Sequence, residues 1–580
     1  MPLQENEAKA EIDENMKPNG RHKTTGIAAL LLLVVLLCAG MQAAMAAEEQ
    51  TLTMSIGGYE NTGTDPTLDS TIWPDIGGWQ EQHFYTHLSP LITLDGDGKV
   101  IPWMAESYEV SDDSKTITFH LRKGIKFADG TPLNASMLKF NFDRMITFGW
   151  NDMLTNRSVT HISAYYDYSE APDEFTLKIR FTKGWLEMPF ELATSSFLDL
   201  YINPLDVNPA WDIKGMLKSE KKYNGLGPYY VDENESIPKQ KIVLIKRHSW
   251  RDDYNFHKPM LDKIVLIYIA DTQTAVMALE KGDIDYICRG WNAPLDALPK
   301  LEKNSDITIE TDPEVRMYLL RTAYWKEPFN GIDGILLRKA ICYALNRTEI
   351  VEGPFNGYAV PATNAMYLSL KRPDVPECCG KGYDYDLGKA KQILNESGWK
   401  DTDGDEILDK NGKALKLDLV VGSGSTGSLS WQKDTALVVQ SQFKKIGIDI
   451  QIQALETSAY QQAMKDGKYD LMMHFGYGRC NPLSQELGVF NFKTGYLSNY
   501  YENQNETLKT TAEKVRTADN EQERDKYVCQ ICNILYEEAG VIPLVYQMQY
   551  AVMSSKIKGF EFGPSSSVRK LDHVEDCWIE

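Results

Sequence analysis

Three aspartates alternate along one polar turn of the chain, in the order Asp401-Thr-Asp403-Gly-Asp405. Carboxylates at alternating positions are typical of calcium-binding loops. Such a loop has glycine at its sixth position and glutamate at its twelfth. This turn has glycine at the fourth position and no glutamate that closes it. The sequence therefore favours a hairpin between a helix and a strand, with calcium binding as the alternative.

Cysteines form a second group with potential chemistry. Cys529 and Cys532 lie in a helical pattern, without a second cysteine or histidine pair at the spacing of a zinc site. A structural bridge or buried thiols are therefore favoured over a metal there. Cys378 and Cys379 are adjacent, and the sequence alone does not determine how the cysteines pair.

Side chains for catalysis are not arranged in any recognisable motif. His83, His87 and His474 are candidate ligands for a borderline metal, but lone histidines near aromatic residues are more often structural. The chain contains no G-x-S-x-G elbow, H-E-x-x-H, P-loop or dinucleotide fingerprint. We therefore expect a protein that is not an enzyme and that needs no cofactor or metal. A hydrolase is the alternative, since a triad needs no adjacency in sequence.

Composition describes an ordinary folded chain. The 580 residues are 43% hydrophobic and 25% charged, and this length predicts two to four domains. The 61 basic and 82 acidic residues give a net charge of −21 without a dense basic cluster. Nucleic acid is therefore excluded as an expected partner.

The N-terminal segment has the order of a secretory signal. Basic residues precede a Leu/Val core, and Ala44-Met45-Ala46 fits the small-x-small cleavage rule, so we predict a signal peptide over residues 1–46. Met16 is a candidate true start, because the residues before it are unusually acidic. An uncleaved membrane anchor is the alternative, since the apolar stretch is near the lower limit for spanning a bilayer. Export would permit disulfides among the remaining cysteines.

Strand and helix patterns alternate after this segment. Period-2 patterns predict strands at TLTMSI, TLKIRF, KIVLIKR, DKIVLIYI, LKLDLVVG, IDIQIQAL and YDLMMHF. Period-3.6 patterns predict helices after Asn134, which is the expected N-cap, and at TQTAVMALEK, GILLRKAICYALNRTEIVEG, LGKAKQILNESG, WQKDTALVVQSQFKKIG and YQQAMKDG. The alternation favours an α/β fold with mixed sheets.

One long segment carries a family resemblance. The stretch GKVIPWMAESYEVSDDSKTITFHLRKGIKFADGTPLNASMLKFNFDRM resembles the region that defines the extracytoplasmic solute-binding proteins of peptide and nickel ABC importers. The resemblance recurs, in the same order, at GLGPYYV, DKIVLIYIADTQTAVMALEKGDIDYI, LRKAICYALNRTEIVEG, YDLGKAKQILNESGWKDTDGDEILDKNGKAL and IPLVYQMQYAVMSSKIKG. It therefore covers nearly all of the chain after the signal.

The resemblance implies a two-lobed periplasmic-binding-protein clamp with an extra subdomain on the first lobe. The chain would cross between the lobes near Thr311 to Arg321 and near Leu544 to Tyr550. The implied segments are 47–90, 226–312 and 546–580 for the main part of lobe one, 91–225 for its extra subdomain, and 313–545 for lobe two.

The implied function is that of a receptor. It would capture a small solute or peptide-like ligand between the lobes and deliver it to the membrane-embedded permease of an ABC importer. The protein would be a monomer in the periplasm or another extracytoplasmic space, anchored to the membrane if the signal stays uncleaved. A peptide-holding chaperone and an exported hydrolase are the alternatives.

Aromatic residues fall in the segments that the resemblance places at the cleft. They are Trp79, Tyr85, Tyr324, Trp325 and Tyr477. Aromatic walls exclude water and offer π faces to apolar or cationic groups. Core packing is the alternative for each of them taken singly.

Two arginines indicate selection by charge. Arg321 takes a position where the family usually has Asn, and a guanidinium there can bind a carboxylate or phosphate with two hydrogen bonds. Arg479 lies where peptide-binding relatives have an Asp, and it would repel an α-amino group. An inter-lobe salt bridge is the alternative for Arg321, and a solvent-facing side chain for Arg479. The metal-site residues of the nickel-binding branch do not carry over.

Overall fold

A computed structural model describes fourteen stretches of the chain. They are residues 49–56, 89–95, 99–147, 162, 165–194, 203–206, 224–237, 240–247, 259–288, 293–364, 375–423, 430–475, 505–562 and 574–580. The predicted signal peptide lies outside these residues. No helix within them is long and apolar enough to cross a membrane.

Strands occur along the whole described chain. The first eleven are β1 (Thr51–Ile56), β2 (Ile92–Leu94), β3 (Val100–Pro102), β4 (Ala105–Val110), β5 (Thr116–Leu121), β6 (Tyr166–Asp173), β7 (Thr176–Phe181), β8 (Tyr229–Val231), β9 (Lys241–Lys246), β10 (Lys263–Tyr268) and β11 (Tyr286–Ile287). The later ones are β12 (Ile307–Thr322), β13 (Ala359–Pro361), β14 (Asp409–Lys410), β15 (Lys413–Ala414), β16 (Lys416–Gly422), β17 (Asp449–Leu455), β18 (Leu471–Phe475), β19 (Ile542–Ser554), β20 (Ile557–Lys558) and β21 (Trp578–Ile579).

Helices alternate with the strands. They are α1 (Ala135–Thr147), α2 (Met188–Thr194), α3 (Thr272–Lys281), α4 (Leu298–Leu301), α5 (Gly331–Ala344), α6 (Arg347–Glu352), α7 (Leu387–Glu396), α8 (Ser430–Lys444), α9 (Thr457–Asp466), α10 (Glu506–Arg516) and α11 (Glu521–Glu538). The predicted N-cap of α1 is confirmed, because the Asn134 side-chain oxygen accepts a hydrogen bond from the Met137 N–H at 3.0 Å.

The predicted strands and helices are present, with one correction. The stretch predicted as one helix at GILLRKAICYALNRTEIVEG is two helices, α5 and α6, because the backbone at Leu345 is extended. The buried Arg347 side chain explains the break, since its guanidinium donates to the carbonyl oxygens of Leu345, Tyr383 and Pro543. Contacts with distant segments thus override the local helical pattern.

Most strands belong to one eleven-stranded mixed sheet. Its order is β17-β16-β18-β12-β19-β11-β1-β10-β9-β8, with β13 beside β19. A separate four-stranded antiparallel sheet has the order β4-β5-β7-β6. The mixture of parallel and antiparallel pairs, with helices between the strands, confirms the predicted α/β class.

The described residues pack around separate cores. We call the part built on β1 and β8 to β11 the first lobe, with a core that includes Leu52, Ile264 and Tyr286. The second lobe is built on β16 to β18 and α5 to α11, and its core includes Leu419 and Phe443. The helices α10 and α11 share a smaller core of their own, and Arg338 of α5 donates to the carbonyl oxygens at the end of α11. The four-stranded sheet and its helices form the subdomain. Its core includes Ile117, Phe119, Phe127, Leu138, Leu177, Ile179 and Phe181. The exact segment boundaries given above stay a prediction.

A buried arginine joins the subdomain to the first lobe. The Arg247 guanidinium donates to the carbonyl oxygens of Lys126 and Phe127 at 2.9 Å and to that of Gly227 at 2.8 Å. Hydrogen bonds from a charged donor are among the stronger ones in a protein interior. This contact fixes the subdomain beside β9.

The cysteines of α11 bridge to the adjacent pair rather than to each other. The disulfides are Cys378–Cys529 and Cys379–Cys532, which close separations of 151 and 153 residues. Both bridges therefore connect the same short turn at residues 377–380 to one face of α11. The structure thus supplies the role for the adjacent cysteines that the sequence left open.

Because both bridges close nearly the same loop, their effects on stability should be strongly non-additive. Closing a loop of about 150 residues lowers the entropy of the unfolded chain by an amount worth about 5 kcal/mol. Replacing one pair, as in Cys378→Ser/Cys529→Ser, should therefore lower the free energy of unfolding far less than replacing all four cysteines. Urea denaturation measures both values.

The second pair provides the matched control for this prediction. Cys379→Ser/Cys532→Ser should resemble the first variant, since its bridge spans the same two segments. Equal losses from one pair and from all four would contradict the explanation.

Candidate functional site

Two long antiparallel strands connect the lobes. β12 and β19 pair from Ile307↔Ser554 to Leu320↔Ile542, with a register shift between Asp312 and Arg316. β19 pairs with β11 at the first-lobe end, and β12 pairs with β18 at the second-lobe end. Between these pairings, the only described strand beside them is β13. We call residues 311–318 of β12 and 545–550 of β19 the neck.

Parallel strands of the first lobe direct their carboxyl ends toward the neck. β1 is parallel to β10 and to β11. β11 is antiparallel to β19, with Ile287 opposite Val552. Because β19 runs from the neck toward Val552, β11 runs toward the neck.

The second lobe has the mirrored arrangement. β16 is parallel to β17 and to β18, and β18 ends with Phe475 opposite Tyr318 at the neck. The carboxyl ends of parallel strands from both lobes therefore face the same place. In open α/β sheets, ligands bind in the crevice outside these ends. The topology thus locates the candidate site between the lobes, beside the neck.

A buried hydrogen bond joins the two strands of the neck. The Tyr318 hydroxyl donates to the Gln547 side-chain oxygen, and both residues are buried. The Tyr318 ring also packs against Trp431, with ring centroids 4.0 Å apart, and against Phe355. The neck is therefore anchored in the second-lobe core.

A second contact between the lobes lies beside β13. The Tyr358 hydroxyl donates to a Glu302 carboxylate oxygen, and the Tyr358 ring packs edge-on against Tyr550 at 5.7 Å. Burial, followed by the hydrogen bond to Glu302, raises the Tyr358 pKa. The Asn356 amide donates to the Leu295 carbonyl at 3.0 Å. These contacts hold the β13 segment against the first lobe.

Arg321 lies inside the second-lobe sheet. It is opposite Met472 on β18, and its residue is 6% exposed. Leu319 is opposite His474, so the two-residue period of a strand places Arg321 and His474 on one face of the sheet. His474 is 3% exposed. Two groups that can carry positive charge thus share a buried sheet face, and Arg321 is about 10 Å along β12 from Tyr318.

Tyr324 and Trp325 follow the second-lobe end of β12. Their rings pack edge to face, with centroids 5.2 Å apart, and Trp325 packs edge-on against Tyr469 at 5.5 Å. Tyr324 also contacts the core between α10 and α11. The structure brings these two predicted residues together, about 20 Å along the chain from Tyr318.

The other predicted site residues lie outside the described residues. They are Trp79, Tyr85, Tyr477 and Arg479. The candidate metal ligands His83 and His87 also lie outside the described residues. In the sequence, Tyr477 and Arg479 follow directly after β18, whose last residue is Phe475. Trp79 and Tyr85 belong to the segment between β1 and β2. Their contact with a ligand stays a prediction.

The acidic turn is closed by an antiparallel bridge between Lys400 and Asp409, and the β14–β15 hairpin follows it. The Asp401 carboxylate accepts the N–H groups of Gly404 and Glu406, at 2.6 and 3.1 Å. Carboxylate oxygens of Asp401, Asp403 and Asp405 lie within 4.8 Å of one another, and all three residues are exposed. These backbone hydrogen bonds explain the spacing without a metal.

Sequence reasoning missed the residues that organise the neck. Tyr318 and Gln547 lie within the predicted crossings, but neither was singled out. Tyr358 was missed because nothing local in NGYAV indicates a contact with the other lobe. The available signal was the apolar runs MYLL and IPLVY at the crossings, whose partners only the folded topology identifies.

Comparisons with known proteins agree with this architecture. Residues 99–496 match the sequence profile of the bacterial extracellular solute-binding proteins, family 5 Middle. The nickel-binding periplasmic protein of Escherichia coli (strain K12) is 25% identical over 532 residues, covering 88% of this chain and 95% of that protein. The oligopeptide-binding protein AppA of Bacillus subtilis (strain 168) is 27% identical over 484 residues, covering 82% of this chain and 83% of AppA.

Solved structures share the fold. The crystal structure of NikA from Brucella suis in complex with Fe(III)-EDTA matches with a TM-score of 0.73 and 21% identity. The match covers 91% of this chain and all of the NikA chain. It confirms the two-lobed α/β fold.

Removing the Tyr318 hydroxyl should destabilise the neck without changing its packing. Tyr318→Phe keeps the ring against Trp431 but leaves the buried Gln547 oxygen without its hydrogen-bond donor. The free energy of unfolding should fall by about 1 to 3 kcal/mol in urea denaturation. Tyr385→Phe is the control, since Tyr385 is 46% exposed, and it should have little effect. A Tyr318→Phe loss no larger than the control's would contradict the role of this hydrogen bond.

Proposed function

Because the chain belongs to family 5 of the bacterial extracellular solute-binding proteins, we propose that it captures one solute between its lobes and delivers it to an ABC importer. The observation that carries this proposal is the arrangement at the neck. Parallel strands of both lobes direct their carboxyl ends to one crevice. The narrow connection of paired strands there suits a hinge that lets the lobes close over a ligand.

The membrane partner is the permease of the importer, and the receptor itself works as a monomer outside the cytoplasm. Two disulfides support export, since such bridges persist mainly in oxidising compartments. The predicted signal peptide over residues 1–46 would direct it there. Binding without chemical turnover is the proposed activity.

The solute carries an anionic group in this proposal. Arg321 and His474 share a buried face of the second-lobe sheet, and Arg479 follows β18 in the sequence. Burying a cation is costly unless a carboxylate, a phosphate or several hydrogen bonds offset the cost. The buried Arg247, Arg338 and Arg347 donate to backbone carbonyl oxygens. Their role is therefore structural.

Aromatic residues supply the remaining contacts in the proposal. Trp79, Tyr85 and Tyr477 belong to segments that follow β1 and β18, whose carboxyl ends face the crevice. Tyr324 and Trp325 follow the second-lobe end of β12. Their contacts with each other, with Tyr469 and with the core between α10 and α11 favour a role in packing over contact with a ligand.

A binding screen distinguishes the candidate solutes. Relatives are named for binding nickel and oligopeptides, so the screen should contain peptides, nickel chelates and organic anions. A solute at one hundred times its dissociation constant should stabilise the protein by about 2.7 kcal/mol, which a thermal scan detects. Tryptophan fluorescence should change on closure.

The screen also separates the receptor from its alternatives. Stabilisation without turnover of peptide or ester substrates supports a receptor, whereas turnover would support a hydrolase. If no member of the screen shifts either the melting temperature or the fluorescence, the proposal loses its support.

Truncating the Arg321 guanidinium should weaken the binding of an anionic solute. Arg321→Gln should cost about 2 to 5 kcal/mol of binding free energy, mainly through faster release. Isothermal titration and stopped-flow fluorescence measure the two quantities. Arg180→Gln is the control, because Arg180 lies on β7 of the subdomain with a side chain about 40% exposed.

Two readouts distinguish a ligand contact from a structural role. If Arg321 instead holds a structural salt bridge, Arg321→Gln lowers the melting temperature of the ligand-free protein and leaves the affinity unchanged. That outcome would contradict an anion contact while leaving the receptor function intact.

A further inference from the structure

The subdomain contacts the second lobe through charged side chains far apart in sequence. Lys183 lies 3.1 Å from a Glu513 carboxylate oxygen, and the Tyr165 hydroxyl donates to the same oxygen at 3.3 Å. Arg524 lies 3.4 Å from a Glu187 carboxylate oxygen. We call these five residues the bridging contact.

The second-lobe side of the bridging contact belongs to two paired helices. Glu513 is on α10 and Arg524 is on α11. A shared apolar core packs these helices together, and the two disulfides attach α11 to the turn at residues 377–380. The charged groups are therefore presented by a rigid support.

The subdomain side has an equally firm support. Tyr165 packs against the buried Trp185, with ring centroids 5.9 Å apart, and Trp185 packs edge-on against Phe181 at 4.9 Å. Lys183 precedes Trp185, and Glu187 precedes α2, whose residue Glu191 donates its N–H to the Glu187 carbonyl. Both surfaces thus meet with their side chains already oriented.

The pair Glu187–Arg524 is more protected from water than a surface salt bridge. The exposed fractions of the two side chains are 10% and 7%. Arg524 also donates to the Asp525 carboxylate at 2.8 and 3.0 Å. A desolvated charge pair is screened less than an exposed one, and removing one partner leaves the other buried.

The bridging contact is remote from the neck along the second lobe. Arg524 lies 14 residues before Glu538 on α11, which is about 20 Å along the helix axis. The chain then continues into β19 at the second-lobe end of the neck. Two rigid bodies that are joined at a neck and touch again at a remote point separate only when the remote contact breaks.

We propose that the bridging contact is a closure latch, which holds the subdomain against α10 and α11 and sets how long a solute stays between the lobes. The effect on solute release rests on the proposed receptor function. The effect on lobe closure does not depend on it. Because the latch touches no solute, it slows release of every solute by the same factor. The residues therefore position the lobes and do not select the ligand.

The test removes the two carboxylates and measures the shape of the protein. In Glu187→Gln/Glu513→Gln, small-angle X-ray scattering of the ligand-free full chain should give a larger radius of gyration than that of the unaltered protein. The control is Glu109→Gln/Glu170→Gln, which makes the same change of charge at exposed positions of the same subdomain. It should leave the radius unchanged.

Release of a probe provides the second readout. With nickel(II)–L-histidine as the probe, the latch variant should release it at least about tenfold faster than the control, with a similar association rate. Failure of this probe to bind any of the proteins counts against the proposed function for that ligand class, and the scattering result alone then decides the latch.

Unchanged scattering in a variant with reduced unfolding free energy would overturn the proposal, because that is the result of a purely structural contact. Glu513→Gln alone keeps the test interpretable if the double variant does not fold, since the Glu513 side chain is 42% exposed. It should shift the radius of gyration in the same direction by a smaller amount.

Discussion

The pairing of β12 with β19 is the interaction on which the rest of the structure depends. These strands are shared by both lobes, so their register determines where each lobe begins and which strand ends face each other. Register shifts between Asp312 and Arg316, and between Tyr318 and Leu319, interrupt the ladder at the neck and at its second-lobe end. Irregular pairing of this kind bends a strand and increases its local twist. The lobes thus meet at a place where the sheet can bend.

Function follows from this arrangement through topology. In the first lobe, β1, β10 and β11 run toward the neck. In the second lobe, β16, β17 and β18 run toward it from the other side. The carboxyl ends of strands from both lobes therefore face one crevice at the neck, which allows closure to surround a solute. The family match of residues 99–496 agrees with this use of the fold.

Local patterns predicted much of the fold. The alternating apolar pattern of TLKIRF predicted the strand that is β7. The apolar period of TQTAVMALEK predicted the helix that is α3, whose buried residues are Ala275, Val276 and Leu279. These patterns succeed because a half-buried strand or helix needs one apolar face whatever its partner is. The family resemblance predicted both crossings, and β12 and β19 extend through them.

Features that depend on distant residues could not be predicted. The break after α5 depends on carbonyl groups of Tyr383 and Pro543, and the disulfides join cysteines more than 150 residues apart. For the site, the sequence singled out Arg321, but its burial on one sheet face with His474 follows from the β12–β18 register. A one-residue shift of that register would place it on the opposite face.

Hydrogen–deuterium exchange tests whether the solute binds between the lobes, since it locates protection by a solute along the chain. The measurement compares the protein with and without the member of the peptide, nickel-chelate and organic-anion screen that raises its melting temperature most. Binding between the lobes should slow exchange at the neck and in the segments that follow β1, β11 and β18, which belong to both lobes. Protection confined to one lobe, with the neck unchanged, would contradict binding between the lobes.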